Sequence, residues 1–410
     1  MIHLTGATIV QPAGLLAPAT LTIDGDRIAD ITARRTGAAD GIDLHDHYIV
    51  PGFVDVHVHG LCGIDSMDGG DAVARIAKRL PQHGVTAFCP TSIACAPADL
   101  RALLAGVRAA RDTRDGDSAR VLPAHLESNF INPEFKGAQP ESCIRGPRAF
   151  VEGEFSGPDI IHEIEQARSD VGIITVAPEV DGVLELIPEL ARHGHYLSLG
   201  HSGATYEQGL EAVAAGARHA THLFNRMSGF THRSPGLTGA VLDSDEVAAE
   251  VICDGVHVHP AAVRLAVGVK SPSRIMAITD GTAGAGLARG TQATLGGRTI
   301  TVKDAAYLDD GTLAGSVLTM DRAFMKLVTL MGFSLVDAAL MCATTPAREL
   351  GLQGAGVLVQ GALADFVVLD RQLNVVETYV GGLRVFSRAA GHRHDGHKDH
   401  QEHQANDTNN

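Results

Sequence analysis

Residues 51–60, PGFVDVHVHG, place two histidines two positions apart at the end of a run that otherwise reads as a buried strand. In an extended strand alternate side chains share a face, so Asp55, His57 and His59 point one way and Val54, Val56 and Val58 the other. Two imidazoles then converge on one spot. Taken alone, such a pair is as consistent with hydrogen-bonded core histidines as with a metal site, so partners elsewhere must decide. From this strand onward a pattern repeats: a short apolar run, a polar or glycine break, then a helical stretch. The runs are IVPGFVDVHVH, GVTAFCPTS, VLPAHLES, VGIITVAPE, YLSLGHS, RHATHLF, AAEVICDG and RIMAITDG. Between them lie amphipathic segments such as DAVARIAKRLPQHG, ADLRALLAGVRAAR, GVLELIPELARHG and YEQGLEAVAAGA, apolar at helical spacing. Strands alternating with helices imply a parallel sheet, and eight of them predict an α/β fold of the (β/α)8 TIM-barrel type.

The flanks differ. LTGATIV, ATLTIDGDRIADI and DLHDHYIV near the start, and GVLVQGALADFVVLD and NVVETYVGGLRVF near the end, read as short strands separated by Gly-Asp turns. We expect both ends to pair in a small β-sandwich domain of residues 1–49 plus 356–390, beside a barrel of residues 50–355. Residues 391–410, polar and His-rich, read as a disordered tail.

With 410 residues, 45% hydrophobic and 20% charged, the chain has ordinary globular composition. A net charge of −15 argues against nonspecific nucleic-acid binding and against a basic membrane surface. The six cysteines show no CxxC pairing, which suits reduced thiols and predicts a cytoplasmic protein. No run of 18 apolar residues and no export signal is evident, so no membrane association is expected.

A barrel places its chemistry where strands end. Candidate ligands stand at those places: His57 and His59 on the first strand, Glu127 on the third, His201 on the fifth, His222 on the sixth and Asp280 on the eighth. Four histidines and two carboxylates at the same end of five strands predict a metal site. Nitrogen and oxygen donors without thiolate suit Zn, Fe, Mn or Co, and such a site with open positions lowers the pKa of water enough for hydrolysis. Asp280 can take a proton from water and return it to a leaving nitrogen. With two ions, Glu127 would bridge, His57 and His59 holding one and His201 and His222 the other. With one ion, Glu127, His201 and His222 suffice.

PGFVDVHVHG, HLESNFINPEFKGAQP, GHSGAT, THLFNRMS, HRSPGLTGA, ICDGVHV, ITDG and LAGSVLTM occur in an order that resembles the N-acetylglucosamine-6-phosphate deacetylases of the amidohydrolase superfamily. The resemblance covers all but the tail. It implies a barrel with a β-sandwich, one or two divalent metal ions, and hydrolysis of an N-acetyl amino sugar phosphate to acetate and the amine. Carried over by position, it implies Glu127, His201 and His222 as metal ligands and Asp280 as acid and base. It further implies phosphate contacts from Asn225, Arg233 and His257, and sugar contacts from Ala138, Gln139, Asp254 to His257, Leu313, Ala314 and Gly315. It also implies a homodimer whose arginine reaches across the interface.

Three departures bear on specificity. HLESNF replaces the usual HLEGPF, which puts Ser128 and Asn129 beside Glu127. Gln139 stands where many members have a histidine that helps polarise the acyl oxygen, and Arg226 where a small residue is common. N-acetylglucosamine 6-phosphate is the first substrate expected, and the galacto-epimer or another N-acyl amino sugar phosphate the near alternative. A cyclic-amide hydrolase or deaminase fits the phosphate-side residues less well. An inactive scaffold or sensor would be expected to lack ligands or Asp280, and none is missing. The glycines of DGTAGAGLARG, Gly281, Gly284 and Gly286, read as a flexible loop over the barrel mouth; Cys253 reads as core; His3, His45 and His47 as surface or packing residues.

Overall fold

A computed structural model describes residues 1–33, 41–113 and 116–388. The eight expected runs form the eight strands of a parallel barrel. They are β1 (Phe53–Val58), β2 (Val85–Ser92), β3 (Ala124–Leu126), β4 (Val171–Val176), β5 (Tyr196–Leu199), β6 (His219–Ala220), β7 (Ala248–Ile252) and β8 (Ile275–Ile278). Each pairs in parallel with the next in sequence order. Closure of the ring falls at the strand ends, where the Asp280 amide donates to the His57 carbonyl at 3.0 Å and Val58 bridges Gly281. The first and last candidate ligands are therefore neighbours across the seam.

Helices cover the outside because their sequences are apolar on one face. In α1 (Ala72–Arg79) residues Ala72, Val73, Ile76 and Ala77 are buried, the i, i+3, i+4 stripe that a barrel wall requires. α5 (following α2 at Pro97–Asp112, α3 at Gly157–Gln166 and α4 at Val183–Arg192) spans Tyr206–Ala215. It starts at a capping box in which the Thr205 hydroxyl accepts from the Gln208 amide and Gln208 reciprocates. α6 (Gly236–Asp243), α7 (Pro260–Lys270) and α8 (Met320–Thr329) complete the ring. Phe53 of β1 stacks on Phe324 of α8 with ring centroids 5.2 Å apart, and burying each such side chain contributes about 1.5–3 kcal/mol.

The chain ends pair in one eight-stranded mixed sheet. Tyr48–Pro51 runs antiparallel to Phe366–Leu369 and parallel to Ile2–Gln11, so residues more than 300 positions apart lie side by side. This sheet has its own core of Leu4, Ile9, Leu21, Ile49, Phe366 and Tyr379. Asp365 joins it to the barrel by accepting both guanidinium bonds of Arg120, at 2.9 and 3.0 Å. The His-rich tail lies outside the described residues.

The segment after β8 departs from the expectation of a flexible loop. Residues 281–285 are buried, and the Gly281 carbonyl accepts from the amides of both His59 and Gly60. Glycine is needed here for close approach: a Cβ on Gly60 would meet the Ile64 carbonyl oxygen at 2.3 Å and the Ala283 nitrogen at 2.7 Å. A small antiparallel sheet of Gln292–Leu295, Arg298–Val302 and Ala306–Tyr307 follows, which the strand signals did not single out. Its Leu295 packs with Ile93 and Ala314.

Candidate metal centre and active site

The C-terminal ends of the barrel strands surround a cavity of about 440 Å³. At its base the Glu127 Oε1 lies 2.8 Å from His201 Nε2 and 2.9 Å from His222 Nε2, and those two nitrogens are 3.1 Å apart. Beside them His57 Nε2 and His59 Nε2 are 3.2 Å apart. Asp280 Oδ1 lies 3.2 Å from His59 Nε2 and 3.4 Å from His57 Nε2. Glu127 Oε2 is 3.4 Å from His59 Nε2, so the carboxylate links both groups. All six side chains are buried or nearly so.

The surroundings fix which nitrogens face inward. The Nδ1 of His201 is 2.8 Å from the Phe135 carbonyl, so that nitrogen carries the proton and Nε2 directs its lone pair into the space it shares with Glu127 and His222, where a cation would be held. The Nδ1 of His57 is held at 3.0 Å by Glu250 Oε2, a carboxylate with no exposed surface. Asp55, behind the histidines on β1, accepts from both the hydroxyl and the amide of Thr279 and so positions the residue before Asp280. Glu179 accepts from Ser202 and Gly203 and so fixes the turn that carries His201. Three donors sit on left-handed backbone, His201 at φ 47°, His222 at 33° and Asp280 at 49°. Each such residue costs about 1–3 kcal/mol, a burden that clusters at functional sites.

The donor chemistry fits a cation. Two imidazole nitrogens 3.1 Å apart, both against one carboxylate oxygen, cannot all be satisfied by a single proton, and the same holds around Asp280. Burial opposes charge on His59 and His222, yet the carboxylates of Asp280 and Glu127 hold them up at about 10 and about 8. Glu127 is itself buried, yet the surrounding histidines hold it well below the usual carboxylate range. The cluster therefore attracts positive charge. His57, His59 and Asp280 form one group able to hold a metal ion and Glu127, His201 and His222 another.

Of the remaining expected contacts, Ala138, Gln139, Asn225, Arg226, His257, Leu313 and Gly315 line the cavity with His59, Glu127, His201, His222 and Asp280. His57 lies beneath it. Asp254 and Ala314 stand behind the wall: Asp254 Oδ2 is 2.6 Å from His257 Nδ1, and Ala314 is buried. Burial would push His257 down, but the Asp254 carboxylate holds it above its usual value. Arg233 is exposed and does not line the cavity of its own chain. The amide of Gln139 is already engaged: its oxygen accepts from the Ala94 amide at 2.7 Å and its NH2 donates to Glu127 Oε2. Ser128 and Asn129 turn away from the cavity, donating to the carbonyls of Thr175 and of Cys95 and Cys143. Phe135, Phe224, Met227 and Ile252 supply apolar lining that the sequence reading did not assign. All four fall inside or beside the motifs quoted above, which was the available signal.

The amidohydrolase family model matches residues 48–385. An N-acetylglucosamine-6-phosphate deacetylase of Danio rerio is 36% identical over 395 residues, covering 92% of each chain. An N-acetylgalactosamine-6-phosphate deacetylase of Escherichia coli O157:H7 is 34% identical, over 82% of this chain and 86% of its own. Among solved structures, a mutant N-acetyl-D-glucosamine-6-phosphate deacetylase from Mycobacterium smegmatis, in complex with N-acetyl-D-glucosamine-6-phosphate, superposes with a TM-score of 0.86. It is 32% identical and covers 94% of this chain and 99% of its own. Barrel, donor cluster and these likenesses agree, and the chain belongs to the N-acetylglucosamine-6-phosphate deacetylase family of the amidohydrolases.

Proposed function

We propose that this protein hydrolyses the N-acetyl group of N-acetylglucosamine 6-phosphate, giving glucosamine 6-phosphate and acetate, and that the roles expected for its site residues hold. The observation that carries this reading is the position of Asp280: its Oδ1 stands 3.2–3.4 Å from two imidazoles at the base of a cavity whose wall also presents His257, Asn225 and Arg226. A divalent ion (Zn, Fe, Mn or Co), held by Glu127, His201 and His222 with His57 and His59 available for a second, would supply Lewis acidity toward the acetyl oxygen and acidify the attacking water. Asp280 takes the proton of that water as it attacks the acetyl carbon, then gives it to the sugar nitrogen as the C–N bond breaks. Asp55 and Thr279 hold Asp280 in register, and Gln139 orients Glu127. The apolar residues Phe224, Met227 and Ile252 exclude water from the acyl group.

His257, oriented by Asp254, and Asn225 receive the phosphate, and Arg226 adds a guanidinium beside them. Arg233 fits the same task in a homodimer, where it would enter the cavity of the partner copy. A cytoplasmic location suits six cysteines that are all free thiols and described helices of which none is long and apolar enough to cross a membrane. We assign residues 50–355 to the catalytic barrel and residues 1–49 with 356–390 to the accessory domain. The galacto-epimer is the second reading, favoured by the similarity to the E. coli enzyme. Replacing Arg233 with Ala tests the phosphate assignment. KM for the phosphorylated sugar should rise at least about tenfold, the loss of one charge-assisted contact, and the unphosphorylated sugar should be unaffected. Equal losses on both would remove Arg233 from phosphate binding.

A further inference from the structure

A second group of reactive side chains lies outside the cavity, at the turn of the hairpin formed by Gly60–Leu61 and Ile64–Asp65. Cys62 occupies that turn on left-handed backbone, φ 50°, and is partly exposed. The imidazole of His83 lies on the same side as its thiol: a Cβ placed on Gly286 would stand 2.8 Å from Cys62 Sγ and 3.9 Å from His83 Nε2. His83 Nε2 is buried and has no hydrogen-bond partner among the described residues, while Nδ1 lies 3.0 Å from Asp321 Oδ1 in the first turn of α8. With the Nδ1 proton turned to that carboxylate, Nε2 is left to take the proton of the thiol. Gln82 Nε2 is 3.7 Å from Sγ, and the Arg79 guanidinium donates to the Cys62 carbonyl at 2.7 Å, adding positive charge at the same turn.

These groups shift the two partners in opposite directions, both of which favour a thiolate beside an imidazolium. The imidazole beside Cys62 pulls its thiol below the ordinary value against the effect of partial burial, with help from Arg79. Burial would push His83 down, but Asp321 and the thiol hold it up at about 9. Cys89, Cys95, Cys253 and Cys342 are buried, and burial pushes their thiols up. The thiol of Cys143, the other partly exposed cysteine, has only the Ser142 hydroxyl as a hydrogen-bond neighbour among the described residues, 3.9 Å away.

We propose that Cys62, activated by His83 and oriented through it by Asp321, is a modification site for hydroperoxides, and that its oxidation slows the reaction in the cavity. The thiolate sulfur attacks one peroxide oxygen. An S–O bond forms, the O–O bond breaks, and sulfur loses two electrons to the peroxide. The departing hydroxide takes the proton held on His83 Nε2, leaving sulfenic acid, water and a neutral imidazole. The new oxygen has little room. A Cβ placed on Gly286 would already lie 2.8 Å from Sγ, so an oxygen added on that side presses on the 281–286 segment. That segment follows Asp280 directly, and the hairpin is tied to it by the Cys62 amide on the Ala285 carbonyl at 2.8 Å and the Gly63 amide on the Ala283 carbonyl at 2.7 Å.

The test is sulfenic-acid trapping with dimedone on the metal-loaded protein treated with hydrogen peroxide, read cysteine by cysteine by mass spectrometry. Cys62 should label at least about tenfold faster than Cys143, and its rate in the unaltered protein should reach half its plateau well below the ordinary thiol pKa of about 8.5. His83→Asn should slow it about tenfold. A rate equal to that of Cys143, or a midpoint at or above the ordinary thiol value, overturns the assignment without recourse to a variant. The effect on turnover rests on the deacetylase reading. In parallel samples treated with peroxide but not with dimedone, acetate release should fall in step with Cys62 sulfenic acid, return with dithiothreitol, and in Cys62→Ser be normal and insensitive to peroxide. An equal peroxide loss in Cys62→Ser overturns the coupling. Absence of acetate release before any treatment overturns the substrate reading alone, since the labelling rates do not depend on it.

Discussion

Asp280 was legible in the sequence as a carboxylate at the end of the last strand. His57 and His59 were legible as ligands at the same end of the barrel, but their direct contact with Asp280 was not, because it depends on closure of the ring between strands more than 200 positions apart. Its placement over His57 and His59 predicts that Asp280→Asn keeps the metal, since Glu127, His201 and His222 are untouched, but lowers kcat at least about a hundredfold by removing the proton carrier. Metal content by elemental analysis and acetate release by coupled assay check both halves, and an active Asn variant would contradict the role. Gln139 shows the converse limit. The sequence reveals that an amide replaces an imidazole, but only the structure shows its two ends committed to Ala94 and Glu127.

His257 adds a pH dependence at the same scale. Asp254 raises its pKa, so the imidazolium persists above the ordinary value of about 6.5. Phosphate binding should therefore be strong below the raised pKa and weaken as pH climbs through it. KM for the phosphorylated sugar should rise across that window, and Asp254→Asn should move the rise to lower pH. A KM profile unchanged by Asp254→Asn would show that His257 is not read as a cation.

At the scale of elements, the strand and helix pattern was legible because each barrel strand is bounded by a polar break and each helix carries its own apolar stripe. What escaped was the 281–315 segment. Its glycines suggest mobility, whereas residues 281–285 are buried and the Gly281 carbonyl accepts from the amides of His59 and Gly60; the missing Cβ of Gly60 is what lets the hairpin lie backbone to backbone against this continuation of β8. Gly60→Ala should consequently destabilise the fold by about 1–3 kcal/mol, the cost of overpacking a filled site, since both obstructing atoms are main chain. Thermal unfolding checks this, and a melting temperature equal to that of the parent would mean the hairpin yields freely. The Cys62–His83–Asp321 series was equally hidden, because three distant stretches of sequence bring one side chain each.

Across the whole molecule, the two ends of the chain close one sheet, and the Arg120–Asp365 pair fastens that sheet to the barrel. The barrel is thereby held with all its active loops at one end, and every expected metal ligand converges there. The net charge of −15 makes the local cations around the phosphate decisive, since the protein as a whole repels an anion. On the proposed reading, substrate choice would be set by His257, Asn225, Arg226 and, in a homodimer, the partner's arginine on one side and by the acyl pocket on the other. The central claim is most directly tested by acetate release from metal-loaded protein on N-acetylglucosamine 6-phosphate, run beside the galacto-epimer and the unphosphorylated sugar. The account predicts turnover of the gluco-phosphate well above both, with loss on chelation and recovery with added metal; no release from any of the three, with metal bound, would contradict it.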